Sequence, residues 1–302
     1  MAIDFLKYRK IYFIFSGILI TGSLVSLCVF GLNPGIDFTG GSILEIEYKT
    51  ERPSNQEIKD ILSELDLGEI YVQPTEENGV ILRMKDISEE SHQEIINKLG
   101  GEKDGEESKV EELRFESIGP VIGKELKEKT GIVVVLSLLA IVLYIAFAFR
   151  RLTFPAKSWQ YGVASLFALF HDVLIPLGIF SLLGKFYGLQ IAIPVVVALL
   201  TVLGYSINNT VVIFDRIREN LLKGAGRDYI DTINQALNQS LTRSINTSLT
   251  TLFVLIAIFF LGGETLKYFA LALIMGIVAG TYSSLFLVSP ILVSWLKWRK
   301  KI

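Results

Sequence analysis

Six apolar stretches dominate the chain, and five of them are long enough to cross a lipid bilayer as helices. They occupy 11–32, 131–149, 161–183, 189–214 and 269–296, with a shorter sixth at 249–261. A hydrocarbon core about 30 Å thick takes roughly 20 apolar residues at a rise of 1.5 Å each. A soluble domain does not carry this much apolar sequence: 51% of the 302 residues are hydrophobic and the mean hydropathy is +0.48. The first stretch lacks a small-residue cleavage site and exceeds the length of a signal-peptide core. It reads as a retained anchor.

A net charge of −2 hides a sharp asymmetry. Residues 33–130 hold 24 acidic against 12 basic side chains, whereas the rest holds 7 against 17. The bases cluster at alternate ends of the spans: Lys7, Arg9 and Lys10; Arg150, Arg151 and Lys157; Arg216, Arg218, Lys223 and Arg227; Lys297, Arg299, Lys300 and Lys301. The other short loops carry only Lys185 and Lys267. The positive-inside rule therefore predicts cytoplasmic termini, with the acidic segment outside. Three parts follow: 1–32, an N-terminal tail and first span; 33–130, an extracytoplasmic domain; 131–302, the remaining spans and a cytoplasmic end. Cys28 is the single cysteine, which excludes an intrachain disulfide or a cysteine metal site. It is expected to be a small buried hydrophobe.

Within 33–130, Gly41–Tyr48 alternates apolar and polar residues as a half-buried strand does. Residues 54–65 open on Ser54 and Glu57, a capping-box pair, with Ile58, Ile61, Leu62 and Leu65 at helical spacing. Residues 69–73 and Gly79–Met84 predict a strand pair joined by the turn TEENG, 88–99 a second helix and Val110–Ile118 a last strand. The order β-α-β-β-α-β is ferredoxin-like. A charged loop fills 100–108, and His92 is expected on a solvated helix face. No nucleophile triad, phosphate loop or metal cluster is visible, so no catalytic residue, metal or cofactor is assigned, and nothing points to nucleic acid.

Polar residues inside the spans carry the functional signal. The stretch 249–261 reaches only about 20 Å, so its helix should extend back to about Thr242. That would bring Arg243 to membrane depth with Asn246, Thr247 and Thr250 on its face. An arginine at a helix centre costs about 3 kcal/mol on insertion scales, and the alternative is an arginine snorkelling to the surface. Asn208 and Asn209 stand roughly 9 Å inside Asp215, a depth Arg243 could share. Asp172 falls near mid-membrane, where a carboxylate must be paired, hydrated or protonated; the plainer reading is a packing contact to a neighbouring hydroxyl. His171 is expected on a different helix face. Asp215, Arg216, Arg218 and Glu219 read as a cytoplasmic charge cluster, either a structural cap or an anchor to the lipids of the inner surface. Gly35, Gly40 and Gly41 permit a tight turn into the first strand, in which Asp37 would satisfy backbone amides.

Four stretches share a family likeness: GIDFTGG at 35–41, SIGPVIGKEL at 117–126, the pair His171–Asp172, and GYSINNTVVIFDRIREN from Gly204 to Asn220. Together with six spans and a large first outer loop, they resemble the SecF family of protein-export membrane proteins, within the resistance-nodulation-division superfamily. The resemblance makes the fold a membrane all-α six-helix bundle, one half of that superfamily's architecture, carrying the α+β ferredoxin-like domain. It implies a subunit of the bacterial inner (plasma) membrane that works with SecD, beside the SecYEG translocon, YajC and YidC. Such a subunit would couple a proton or sodium gradient to export of a preprotein. It also implies an ion-transfer role for Arg243. In most relatives the second asparagine is an aspartate that carries the ion; Asn209 has no proton to give near neutral pH. The carboxylate would then come from SecD or from Asp172, or coupling differs in this chain. Two other functions stay open: a half-transporter for a lipid or small molecule, and a purely structural translocon subunit.

Overall fold

A computed structural model describes residues 3–75, 78–100, 108–148, 150 and 156–299. It divides into two compact units, one of residues 1–33 and 133–302 and one of residues 34–132.

Among the described residues, six helices are long and apolar enough to span a bilayer. They are α1 (Arg9–Phe30), α5 (Pro120–Ala148), α6 (Ser158–Tyr187), α7 (Ile193–Leu222), α8 (Tyr229–Leu261) and a composite last helix. The last one runs as α9 (Glu264–Ser283), a single π turn (Ser284–Val288) and α10 (Ser289–Trp298). Helices α6, α7 and α9 form the buried centre, while α1, α5 and α8 keep most of their apolar faces exposed. Close approach depends on small residues, as expected where lipid removes any hydrophobic drive between helices. A Cβ on Gly276 of α9 would overlap Val202 of α7, and one on Gly178 of α6 would overlap Ser23 of α1. The α1–α6 seam also carries Ser26 Oγ donating to the Gly178 carbonyl (3.0 Å) and Ser181 Oγ donating to the Ser26 carbonyl (2.9 Å). Cys28 is exposed on α1, contrary to its expected burial. It lies on an exposed face of α1.

The second unit is a four-stranded antiparallel sheet of order β2-β3-β1-β4. Its strands are β1 (Gly41–Tyr48), β2 (Tyr71–Pro74), β3 (Gly79–Met84) and β4 (Val110–Ile118), and its helices α3 (Asn55–Leu62) and α4 (Glu89–Leu99). Alternation along β1 sends Leu44 and Ile46 into a core with Ile58, Leu62, Val80, Leu82, Ile95 and Leu99. Each such side chain contributes about 1.5–3 kcal/mol on burial. The Ser54 hydroxyl accepts from the Glu57 amide and the Glu57 carboxylate accepts from the Ser54 amide, a complete capping box. Gly40 (φ 73°) and Gly41 (φ 124°) turn the chain out of the short helix α2 (Ile36–Thr39) into β1. A Cβ at either would sit 2.8 Å from backbone, of Pro120 and Met84 respectively. Gly35, expected to share that task, has an ordinary φ of −76°. Residues 76–77 of the TEENG turn and most of the 100–108 loop lie outside the described residues.

His92 departs most from expectation. It is 4% exposed, with Nδ1 3.1 Å from Glu89 and Nε2 3.2 Å from Glu112, its ring stacked 3.8 Å from that of Phe115. Strand β4 brings Phe115 and Glu112 over a helix face that reads as polar in isolation.

Candidate functional site

Helix α6 places Asp172 at its middle, 14 residues after Ser158 and therefore about 21 Å along the helix. The side chain is 0% exposed and its two oxygens are fully engaged. Oδ1 lies 2.9 Å from His171 Nδ1; Oδ2 accepts from Ser206 Oγ of α7 (2.5 Å) and Ser283 Oγ of α9 (2.8 Å). One carboxylate thus ties three helices together. The expectation that His171 turns to a different face is corrected: its ring folds back onto its neighbour. Two irregularities flank this point. Pro176 follows Asp172 by four residues, so the Asp172 carbonyl has no helical N–H to accept. The π turn begins at Ser284, whose hydroxyl bonds Thr210 of α7 at 2.9 Å.

A second polar layer joins α7, α8 and α9. Asn209 Oδ1 accepts from Ser244 Oγ at 2.7 Å, and its buried Nδ2 has no hydrogen-bond partner among the described residues. Ser248 bonds Thr281 (2.6 Å) and accepts from the Tyr205 hydroxyl (3.0 Å). The buried serines of α8, Ser240, Ser244 and Ser248, recur every four residues and so line one face. That repeat was the available signal for residues the polar-span reading missed. Ser206, Ser283 and Ser284 carried none.

Helix α8 begins at Tyr229, well before the expected Thr242, because Tyr229, Ile233, Ala236 and Leu237 bury a stripe that starts a helix 33 residues long. Arg243 therefore lies 14 residues inside it. The guanidinium does not meet Asn209; Ser244, the next residue, does. Arg243 instead lines a pocket of about 480 Å³ with Arg150, Asp215, Arg216, Arg218, Gln239 and Ser240. Around it the membrane-level surface is polar and open. Gly204 and Asn208 on α7 and Arg243, Asn246, Thr247 and Thr250 on α8 are all exposed. Thr250 satisfies its hydroxyl on its own helix, on the Asn246 and Thr247 carbonyls at 3.0 Å.

The charged end of α7 pairs internally. Arg216 bonds Glu219 at 2.7 Å, Arg218 lies 3.7 Å from Asp215, and Asn220 donates to Gln239 at 3.1 Å. Asp37, half-buried in the first turn of α2, contributes to holding the Arg114 guanidinium charged, after the Glu116 hydrogen bond and Glu116 and Glu45 charges.

Comparison with known proteins places this geometry. The family model for the C-terminal part of protein export membrane proteins SecD/SecF matches residues 101–298, and that for the SecD/SecF GG motif matches 25–51. The protein translocase subunit SecF of Thermobaculum terrenum is 40% identical over 97% of this chain and 94% of its own length. The chain belongs to the SecF family. SecF of Desulfurispirillum indicum (40%, 97% of this chain and 91% of the relative) and of Vibrio alginolyticus (38%, 96% and 89%) agree. Among solved structures, SecDF of Thermus thermophilus, described as a translocon-associated membrane protein, superposes with a TM-score of 0.83 at 33% identity. The match covers 98% of this SecF-family chain and 39% of that longer one. SecDF in a super-membrane-facing form gives a TM-score of 0.67 at 35% identity, over 99% of this chain and 39% of that one. The chain is a multi-pass membrane protein with the fold of one SecDF part.

Proposed function

We propose that this chain is an accessory subunit of the Sec protein translocase that pairs with SecD and uses a proton or sodium gradient to assist preprotein export across the inner membrane. Its termini face the cytoplasm and its β-sheet unit the outer side, where the acidic sheet domain would meet the preprotein. SecYEG, with YajC and YidC, would be neighbours in the same assembly.

The open polar face of α7 and α8 carries this reading. Lipid tails give nothing to Arg243, Asn246, Thr247 and Asn208, and an arginine facing hydrocarbon costs about 3 kcal/mol. A second set of helices that supplies polar partners, above all a carboxylate for Arg243, removes that cost. The solved SecDF chain, of which this one matches 39%, has length for such a second half. Because Asn209 is an amide bonded to Ser244, it does not serve as the ion-carrying carboxylate; the partner supplies that group, or Asp172 shares the task.

Cysteine cross-linking tests the pairing. With Cys28 replaced by serine, Asn246→Cys should cross-link to a co-expressed SecD subunit in membranes, whereas Val121→Cys, exposed on α5, should not. Cross-linking of Asn246→Cys only to a second copy of itself, with a small solute exported, would establish the half-transporter instead.

A further inference from the structure

Beyond the carboxylate, one buried group has no assigned task. His171 is 0% exposed and its Nε2 has no hydrogen-bond partner among the described residues. Nδ1 lies 2.9 Å from Asp172 Oδ1. The Asp172 carboxylate, whose Oδ2 accepts from Ser206 and Ser283, accepts the Nδ1–H of His171 at Oδ1, which fixes the imidazole tautomer and leaves a lone pair on Nε2. Burying an unsatisfied acceptor is costly, and a structural role for the ring needs no second nitrogen. We propose that His171 Nε2 is a proton-binding site within the membrane bundle, with Asp172 as its orienting residue and counter-ion. This deepens the export reading by naming a proton as the ligand of this chain's own coupling site.

The chemistry closes on the pair. Before loading, imidazole is neutral and the centre holds the single negative charge of Asp172. A proton adds to the Nε2 lone pair, no bond breaks, and the product is an imidazolium–carboxylate pair with no net charge. In a low-dielectric interior the loaded state is the cheaper one to bury, which makes the centre receptive. Imidazole is also the side chain whose charge ordinarily changes between about pH 5 and 8, the span across which a transmembrane proton gradient operates.

Among the described residues, the side chains recorded against the pair are uncharged. From α9, the ring of Tyr282 lies 5.9 Å from that of His171, with its hydroxyl donating to the Tyr12 carbonyl of α1 and accepting from Ser16. From α7 comes Ser206, and from α9 Ser283. The titratable groups around the pair are thus Tyr282 and, beyond it, Tyr12. Conformational consequence follows from position. The carboxylate ties α6, α7 and α9 close to Pro176 in α6 and to the π turn of the last helix, so a change in its charge acts beside two breaks in regular helical hydrogen bonding.

Only two histidines occur in the chain, so ring-nitrogen NMR of the full-length protein in liposomes shows two imidazoles, and His171→Gln identifies the one to follow. The expected result is a single protonation at Nε2 between pH 5 and 8. Asp172→Asn should weaken it at least about tenfold, one pH unit, and His171→Gln should lower proton-gradient-stimulated export by a similar factor. An imidazole that keeps one neutral tautomer from pH 5 to 8, or that titrates identically in Asp172→Asn, overturns the proposal. Export indifferent to every gradient in the unaltered protein would instead sink the export reading, with the NMR titration still deciding whether the site exists.

Discussion

At the residue scale, the most informative side chain is the amide at 209. Its oxygen accepts from Ser244 while its buried nitrogen has no hydrogen-bond partner among the described residues, so a carboxylate fits the same volume with a partner already in place. Asn209→Asp should therefore insert and fold, keep the Ser244 contact, and add a second ionisable group; proton-driven export in vesicles should rise or hold. Loss of abundance in that variant would show the pocket is closed to charge. Gly41 is the opposite case, a position with no tolerance. At φ 124° and with a Cβ only 2.8 Å from the Met84 carbonyl, Gly41→Ala should destabilise the sheet unit by about 1–3 kcal/mol. Limited proteolysis of the full chain, comparing cleavage within β1 and β3, measures it.

At the scale of elements, what was legible depended on how local the cause was. Strands β1, β3 and β4 could be bounded from alternation and turn residues alone, and the start of helix α3 from its capping box, whereas its end, expected at Leu65, falls at Leu62. The polar first half of α8 could not be read, because its stripe of Tyr229, Ile233 and Ala236 has meaning only against α7. His92 was misread for the same reason: Phe115, 23 residues away, covers it. The Asp172 centre draws Ser206 and Ser283 from 34 and 111 residues away, separations that leave no periodic trace. Helices α3 and α4 also carry a prediction about acid. Glu57 is held below the ordinary value near 4.5 by the Ser54 backbone amide and hydroxyl, Glu64 by Lys98, and Glu89 by Gln93 and His92. A lowered folded-state value means these contacts stabilise fully above about pH 4.5 and are lost as pH falls through the lowered values. Amide protection in α3 and α4, taken relative to the intrinsic exchange rate at each pH, should therefore fall below about pH 4.5; protection that is flat there would contradict it.

At the scale of the molecule, the bundle is well packed in its centre and open on one polar side. Helices α6, α7 and α9 bury the Asp172 centre, while α7 and α8 present Asn208, Arg243, Asn246 and Thr247 outward. A half of this kind gains from a partner that covers the face, and the matched SecDF chain is long enough to include one. The central claim is that ions moving at this face drive export, and vesicle transport tests it most directly. Inverted membrane vesicles containing the chain and its SecD partner should export a preprotein faster under an imposed proton or sodium gradient. Arg243→Ala should reduce that stimulation about tenfold, the equivalent of roughly 1.4 kcal/mol, with unchanged insertion. Full gradient stimulation by Arg243→Ala at normal abundance would contradict the account.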